Sequence, residues 1–191
     1  VEVAVRLGID PRQGTQNIRG AFSLPHGIGK EVRVIAFVDG PAADEAKAAG
    51  AIEVGGEELA AKVAGGWFDF DVAIATPEAM TEVRKLGKVL GPRGLMPNPK
   101  TGTVTDDTGK AVREVKAGRV EFKVDKAGNI HVPVGKASFT PLQIAENART
   151  VVEAVYRARP SSVKGLYVRS VTLSMTMSPP VSVELKEFVS A

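Results

Sequence analysis

Near the end of the chain, Met175, Thr176, Met177 and Ser178 bring two hydroxyls and two flexible thioethers together at the close of a strand-like stretch. Hydroxyls and free backbone groups suit ribose and phosphate oxygens, and a thioether packs against the face of a sugar or base. The same spacing also fits Met175 and Met177 as core-facing residues of one strand, and residue types alone favour that plainer reading. Arg6, Lys123, Lys136 and Arg169 would neutralise phosphate if they lay on one side of the fold, although exposed cations most often only solvate a surface. Arg6 stands out because it falls on the polar positions of an alternating strand.

Other groups carry less chemistry. His26, Gly27, Ile28, Gly29 and Lys30 superficially resemble a phosphate-cradling loop, but the spacing of a P-loop is missing and the glycines precede a strand instead of opening a helix. A hinge at Gly27 and Gly29 is the better reading. Gly91 to Lys100 gathers Gly, Pro and Asn around Arg93 and Lys100, an exposed, stiff, basic loop suited to a nucleic-acid backbone or simply to solvent. His131 has no acidic pair beside it and reads as structural or surface. No GxGxxG follows the first covered strand, where Asp39, Gly40 and Pro41 stand, and no nucleophile and base are spaced for catalysis. Without cysteine and with only two histidines, disulfides, a thiolate zinc site and a cysteine nucleophile are excluded. No catalytic residue, metal or cofactor is expected.

The elements that position these residues fall into two kinds. Val1, Val3, Val5 and Leu7 alternate with Glu2, Ala4 and Arg6, as in a strand with one wet face. Gly8 to Gly20 reads as loop. Val32 to Val38 is nearly continuous apolar, the pattern of a strand covered on both faces. A helix bracketed by Pro41 and Gly50, a strand at Ala51 to Val54, a helix from Glu57 to Ala64 and a strand at Asp71 to Ala75 follow. A third helix capped by Thr76 and running to Lys85, and a fourth over Thr108 to Ala117, complete a doubly wound α/β layer. From Arg119 the two-residue period returns: Val120, Phe122 and Val124 lead through a turn at Asp125 to Asn129 into Ile130, Val132 and Val134, a predicted hairpin. Thr140, Pro141 and Gln143 form a capping box for a helix whose stripe is Ile144, Ala148, Val151, Val152 and Val155. Strands at Tyr167 to Met177 and Val181 to Leu185 close the sequence.

Because the two ends share the one-face-wet character, residues 1–25 and 119–191 are expected to form one α+β domain. Residues 26–118 form a Rossmann-like three-layer α/β domain inserted through hinges near Gly27, Gly29 and Gly118. The charge divides along the same line. Residues 26–118 hold 12 Lys and Arg against 14 Asp and Glu, whereas the ends hold 13 against 8, so the formal net charge of +3 belongs to the ends. No apolar stretch approaches a membrane span and nothing resembles a signal peptide, which predicts a soluble cytoplasmic protein with no membrane partner. Val1 opens inside a strand pattern, so the native start is expected to lie upstream.

Six motifs in fixed order then carry a resemblance: LGIDPR at Leu7 to Arg12, SLPHGIGK at Ser23 to Lys30, VGGEEL at Val54 to Leu59, LGKVLGPRGLMPNPKTGTV at Leu86 to Val104, PVGKASF at Pro133 to Phe139, and RSVTLSMTMSP at Arg169 to Pro179. Together they resemble the bacterial ribosomal L-one family, whose members form the mobile stalk beside the exit site for tRNA. The resemblance implies a non-enzymatic large-subunit protein that binds rRNA through the domain built from the chain ends and assists release of deacylated tRNA. It also implies repression of its own operon mRNA, and a monomer outside the ribosome. Carried over by motif, Thr176, Met177 and Ser178 meet the RNA, with Ser170 on the same strand and Glu2 and Arg6 on the first. Lys136 sits in the family's glycine-flanked turn and, with Arg6, ranks ahead of Lys123. Arg93 and Lys100 are backbone-contact candidates. The family usually has Gly where this chain has Ser178, and its N-terminal helix and the aromatic residue before the first strand are absent from this sequence. Two rival accounts are a nucleotide-binding α/β enzyme and a protein-interaction adaptor.

Overall fold

Strand β1 (Glu2–Leu7) forms as its alternation requires: Val3, Val5 and Leu7 are buried while Glu2 and Arg6 are exposed. The computed structural model describes residues 1–185, apart from the surroundings of Gly14 and Lys100. β1 is an inner strand of a four-stranded antiparallel sheet in the order β7 (Asn129–Pro133), β1, β8 (Val168–Ser174), β9 (Val181–Val183). Against its apolar face packs the longest helix, α6 (Pro141–Arg157), through Ala148, Val151, Val152 and Val155. The helix starts as read. The Thr140 hydroxyl accepts from the Gln143 N–H at 3.4 Å, and the Gln143 side chain accepts from the Thr140 N–H at 3.0 Å.

The hairpin expected across Asp125 to Asn129 is not a full ladder. β6 (Arg119–Lys123) pairs with β2 (Arg19–Ser23) in a separate two-stranded sheet, and only one bridge, Val124 to Ile130, links it toward β7. Alternation identifies a strand but not its partner. Here the partner is a segment read as loop up to Gly20, whose glycine hides the strand pattern for a steric reason. A Cβ at Gly20 would lie 2.9 Å from the Phe122 ring, and that ring also meets Phe22 with centroids 5.7 Å apart.

Within residues 31–117, β3 (Val34–Phe37) is the middle of a parallel sheet, between β4 (Glu53–Val54) and β5 (Val72–Ala75). Val34 and Ala36 face α1 (Pro41–Ala48) and α5 (Thr108–Lys116) through Ala46, Ala111, Val112 and Val115. Ile35 and Phe37 face the other way. They pack with Leu59 and Val63 of α2 (Glu57–Ala64), Val83 of α3 (Met80–Lys85) and Leu90 of α4 (Gly87–Arg93). Coverage on both sides explains the unbroken apolar run. Two helix expectations need correction. α3 begins at Met80, after a turn in which the Thr76 hydroxyl accepts from the Ala79 N–H at 3.3 Å. α4 takes up Gly91 to Arg93, which read as loop because Gly91 and Pro92 are poor helix formers; Pro92 has no N–H to donate to the Lys88 carbonyl, and the helix ends one residue later, capped by Gly94 in the left-handed conformation.

The contacts group the chain into two compact units, residues 1–30 with 118–191, and residues 31–117. In the first, Gly27, Gly29 and Gly118 all have positive φ, at 62°, 68° and 108°. The Leu24 N–H donates to the Gly118 carbonyl at 3.0 Å, and a Cβ at Gly118 would stand 2.5 Å from the Gly27 Cα. Gly118→Ala should therefore lower unfolding free energy by about 1–3 kcal/mol, read as a shift of the urea midpoint at constant slope.

Tyr167 is buried between α6 and the sheet, its hydroxyl donating to the Val155 carbonyl at 3.0 Å. Burial pushes its pKa from 10.0 up to about 12, against a smaller opposing effect of Arg159. Above pH 10 the unfolded chain loses the phenolic proton while the folded chain keeps it, so folding stability should decline as pH rises from about 10 to 12. Urea midpoints measured across that window check this, and Tyr167→Phe should flatten the decline.

Candidate nucleic-acid interface

The face of the four-stranded sheet turned away from α6 follows from register. Glu2 lies opposite Ser174 on one side and Pro133 on the other, Ala4 opposite Thr172 and His131, and Arg6 opposite Ser170 and Asn129. Ser182 of β9 extends the row beside Thr172. None of these residues is buried, and Glu2, Arg6, Ser170, His131 and Ser182 are exposed. The result is an open face of small hydroxyl residues with Glu2 toward one end and Arg6 toward the other, about 13 Å apart at roughly 3.3 Å per residue.

Beyond Ser174 the chain leaves the sheet, three residues before the expected strand end at Met177. The cause is local. The Ser178 N–H donates to the Met175 carbonyl at 3.3 Å, and the Ser178 hydroxyl accepts from the Met175 N–H at 3.0 Å while donating to the Pro179 carbonyl at 3.2 Å. A hydroxyl that closes a turn competes with ladder pairing, and Pro179 and Pro180 have no N–H to continue it. Met177 is thereby 95% exposed and Met175 48% exposed, so both are surface residues and the core reading of these methionines is corrected. Ser178 causes no backbone strain: no non-glycine residue among those described has positive φ. Its hydroxyl is engaged within the turn.

Thr176 lies two residues past the partner of Glu2, so Glu2, Thr176 and Met177 gather at one end of the sheet. Lys136 joins them. It is exposed three residues after Pro133, the other partner of Glu2, in a turn where Gly135 leaves room for the Phe139 ring; a Cβ there would lie 2.7 Å from it. Arg6 and Ser170 occupy the far end. Arg93, in the other unit, sits with its guanidinium carbon 3.8 Å from the centre of the Phe68 ring, so it is stacked, not free. Its loop is held by Thr103, whose hydroxyl accepts from the Asn98 N–H at 2.8 Å. The side chain of Lys100 lies outside the described residues.

Two features escaped the sequence reading. Asn147 is fully buried in α6: its carbonyl oxygen accepts from the His26 N–H at 3.2 Å, and its amide donates to the carbonyls of Gly27 at 2.9 Å and Val134 at 2.8 Å. The signal was present, because position 147 falls on the apolar stripe, three residues after Ile144 and four before Val151. His26 also pairs its ring with Glu146. The second is the part played by the Asp125 carboxylate in the turn expected there: it accepts from the N–H groups of Ala127 and Asn129, each at 2.8 Å. These bonds, that of Asn129 first, hold the carboxyl below its ordinary pKa.

Residues 1–179 match the family model described as the ribosomal protein L1p/L10e family. The chain is also similar to the large ribosomal subunit protein uL1 of Clavibacter michiganensis subsp. michiganensis (strain NCPPB 382) and to that of Clavibacter sepedonicus. Each is 57% identical over 185 residues, covering 97% of this chain and 81% of the relative.

Proposed function

This chain belongs to the ribosomal protein L1p/L10e family, a structural and non-enzymatic component of the cytoplasmic ribosome's large subunit, and from that premise we propose that it binds large-subunit rRNA through the unit built from its two ends. The observation that carries the proposal is the turn at Met175 to Ser178: a nearly fully exposed methionine beside an exposed threonine hydroxyl, at the end of a polar sheet face. An apolar side chain so placed gains by being covered, and a ribose or base face covers it while Thr176 and free backbone groups meet the sugar and phosphate oxygens. Glu2 and Ser170 supply polar contacts along the same face, and Arg6 and Lys136 neutralise phosphate.

The two units act as domains, with residues 31–117 inserted and the glycines at 27, 29 and 118 forming the hinge. The same surface binds a similar fold in the chain's own operon mRNA and so represses translation. The protein is a monomer off the ribosome, and on it assists departure of deacylated tRNA from the exit site, with Arg93 and Lys100 as secondary candidates for RNA backbone contact. Hydroxyl-radical footprinting of the full chain on large-subunit rRNA tests the central point. One compact protected segment is expected, with affinity falling steeply as salt rises. A diffuse footprint, or an affinity indifferent to salt, would sink the reading and favour a protein-binding adaptor.

A further inference from the structure

A second group of cations lies beyond the Arg6 end of the polar face. Arg12, Asn17, Lys123 and Lys126 line an open groove of about 740 Å³, together with Asp125 and two apolar residues. Arg19 lies directly opposite Lys123 in the β2–β6 ladder. Like charges opposed across strands destabilise a sheet, yet neither side chain, nor that of Arg12 or Lys126, has an ion-pair partner among the described residues. The one carboxylate of the groove is Asp125, whose Oδ1 accepts from the backbone N–H groups of Ala127 and Asn129 and whose Oδ2 accepts from the Asn129 side-chain amide at 3.4 Å. Glu121, the nearest acid on the ladder, faces Ala21.

We infer that this groove is a separate contact for the phosphodiester backbone of the bound RNA; the inference rests on the rRNA binding proposed above and adds a second site to it. Three observations fix the ligand class. Clustered positive charge without internal neutralisation favours an anion over a neutral or cationic ligand. The volume exceeds that of one phosphate and accommodates a strand. No aromatic ring lines the groove, so bases have nothing to stack on and the contact is with the backbone alone. The groove is also continuous with the polar face. His131, opposite Ala4 on that face, has its Nε2 3.9 Å from Asp125 in the groove wall, and the Leu7 N–H donates to Gly128 of the same turn at 2.9 Å. An RNA engaged at Met177 thus runs along β1 past Arg6 and reaches Arg12, Lys123 and Lys126. The first end reads shape, and the second holds the strand in place by charge.

The test uses the full chain and the rRNA fragment defined by footprinting, with affinity measured over a range of salt. Arg12→Gln/Lys123→Gln/Lys126→Gln should weaken binding and reduce the slope of log affinity against log salt by about 2.1–2.7 units, at roughly 0.7–0.9 per phosphate contact. Met177→Ala, which alters no charge, should weaken binding with the slope unchanged. If the triple variant does not fold, Lys126→Gln alone, in the exposed turn, should lower the slope by about 0.7–0.9. An unchanged slope and affinity in the cation variants, with binding still weakened in Met177→Ala, overturns the groove and leaves rRNA binding in place. A wild-type chain that does not bind rRNA overturns both. Inorganic phosphate titrated at constant ionic strength separates the remaining source: saturable binding of phosphate in the groove, with RNA affinity indifferent to its cations, would make it a free-phosphate site and overturn the inference.

Discussion

Met177→Asp should weaken binding to the large-subunit rRNA fragment by about 100-fold while shifting unfolding free energy by less than about 0.5 kcal/mol. The binding side follows from burial: covering a methionine side chain contributes about 1.5–3 kcal/mol, and a carboxylate facing phosphates adds repulsion in place of that gain. The stability side follows from exposure. Met177 is 95% exposed, touches no core cluster, and sits in a turn held by Ser178 and not by its own side chain. Filter binding together with urea unfolding of the same preparations decides the matter. Equal losses in both would mean that the side chain serves the fold. Met177→Leu, which keeps apolar bulk, should retain most of the affinity.

How much of this was legible in the sequence depended on whether a property is local. The wet and dry faces of β1, the capping box at Thr140 and the covered strand at Val34–Phe37 each rest on residues within one or two turns of each other, and each appears as read. Pairing is not local. β6 finds β2 nearly a hundred residues earlier, because Gly20 makes room for Phe122, and nothing in the alternation of β6 names that partner. The site divides in the same way. The motif around Thr176 drew attention to residues that lie together at one end of the sheet, but a strand through Met177 was expected where a serine hydroxyl and two prolines end pairing at Ser174. The register that sets Glu2 beside Ser174 and Arg6 beside Ser170 was visible only once the strands were placed. Lys123 and Arg12 were scattered cations in the sequence and become one groove only through the Asp125 turn and the β2–β6 ladder.

Asn147→Leu should cost about 3 kcal/mol of stability. The replacement has similar volume, so no cavity term dominates; what changes is three hydrogen bonds. The His26 N–H and the carbonyls of Gly27 and Val134 lose their partner together, and Leu offers nothing in exchange inside the site. Unpaired polar groups held away from water cost about 1–3 kcal/mol each, less what relaxation and water recover. Asn147→Asp separates the two sides of this network. A carboxylate still accepts from His26 but cannot donate to either carbonyl, and it would bring an uncompensated charge into a fully buried position. Its destabilisation should therefore exceed that of Leu at neutral pH and diminish as pH falls and the acid is protonated. Urea midpoints for both variants at pH 5 and pH 7 measure this, and a pH-independent loss equal in the two would mean that shape, not hydrogen bonding, is what α6 supplies at this point. Because the bonds tie α6 to the backbone at His26 and Gly27, the same variants should speed amide exchange there before they affect the Met175 to Ser178 turn at the other end of the sequence.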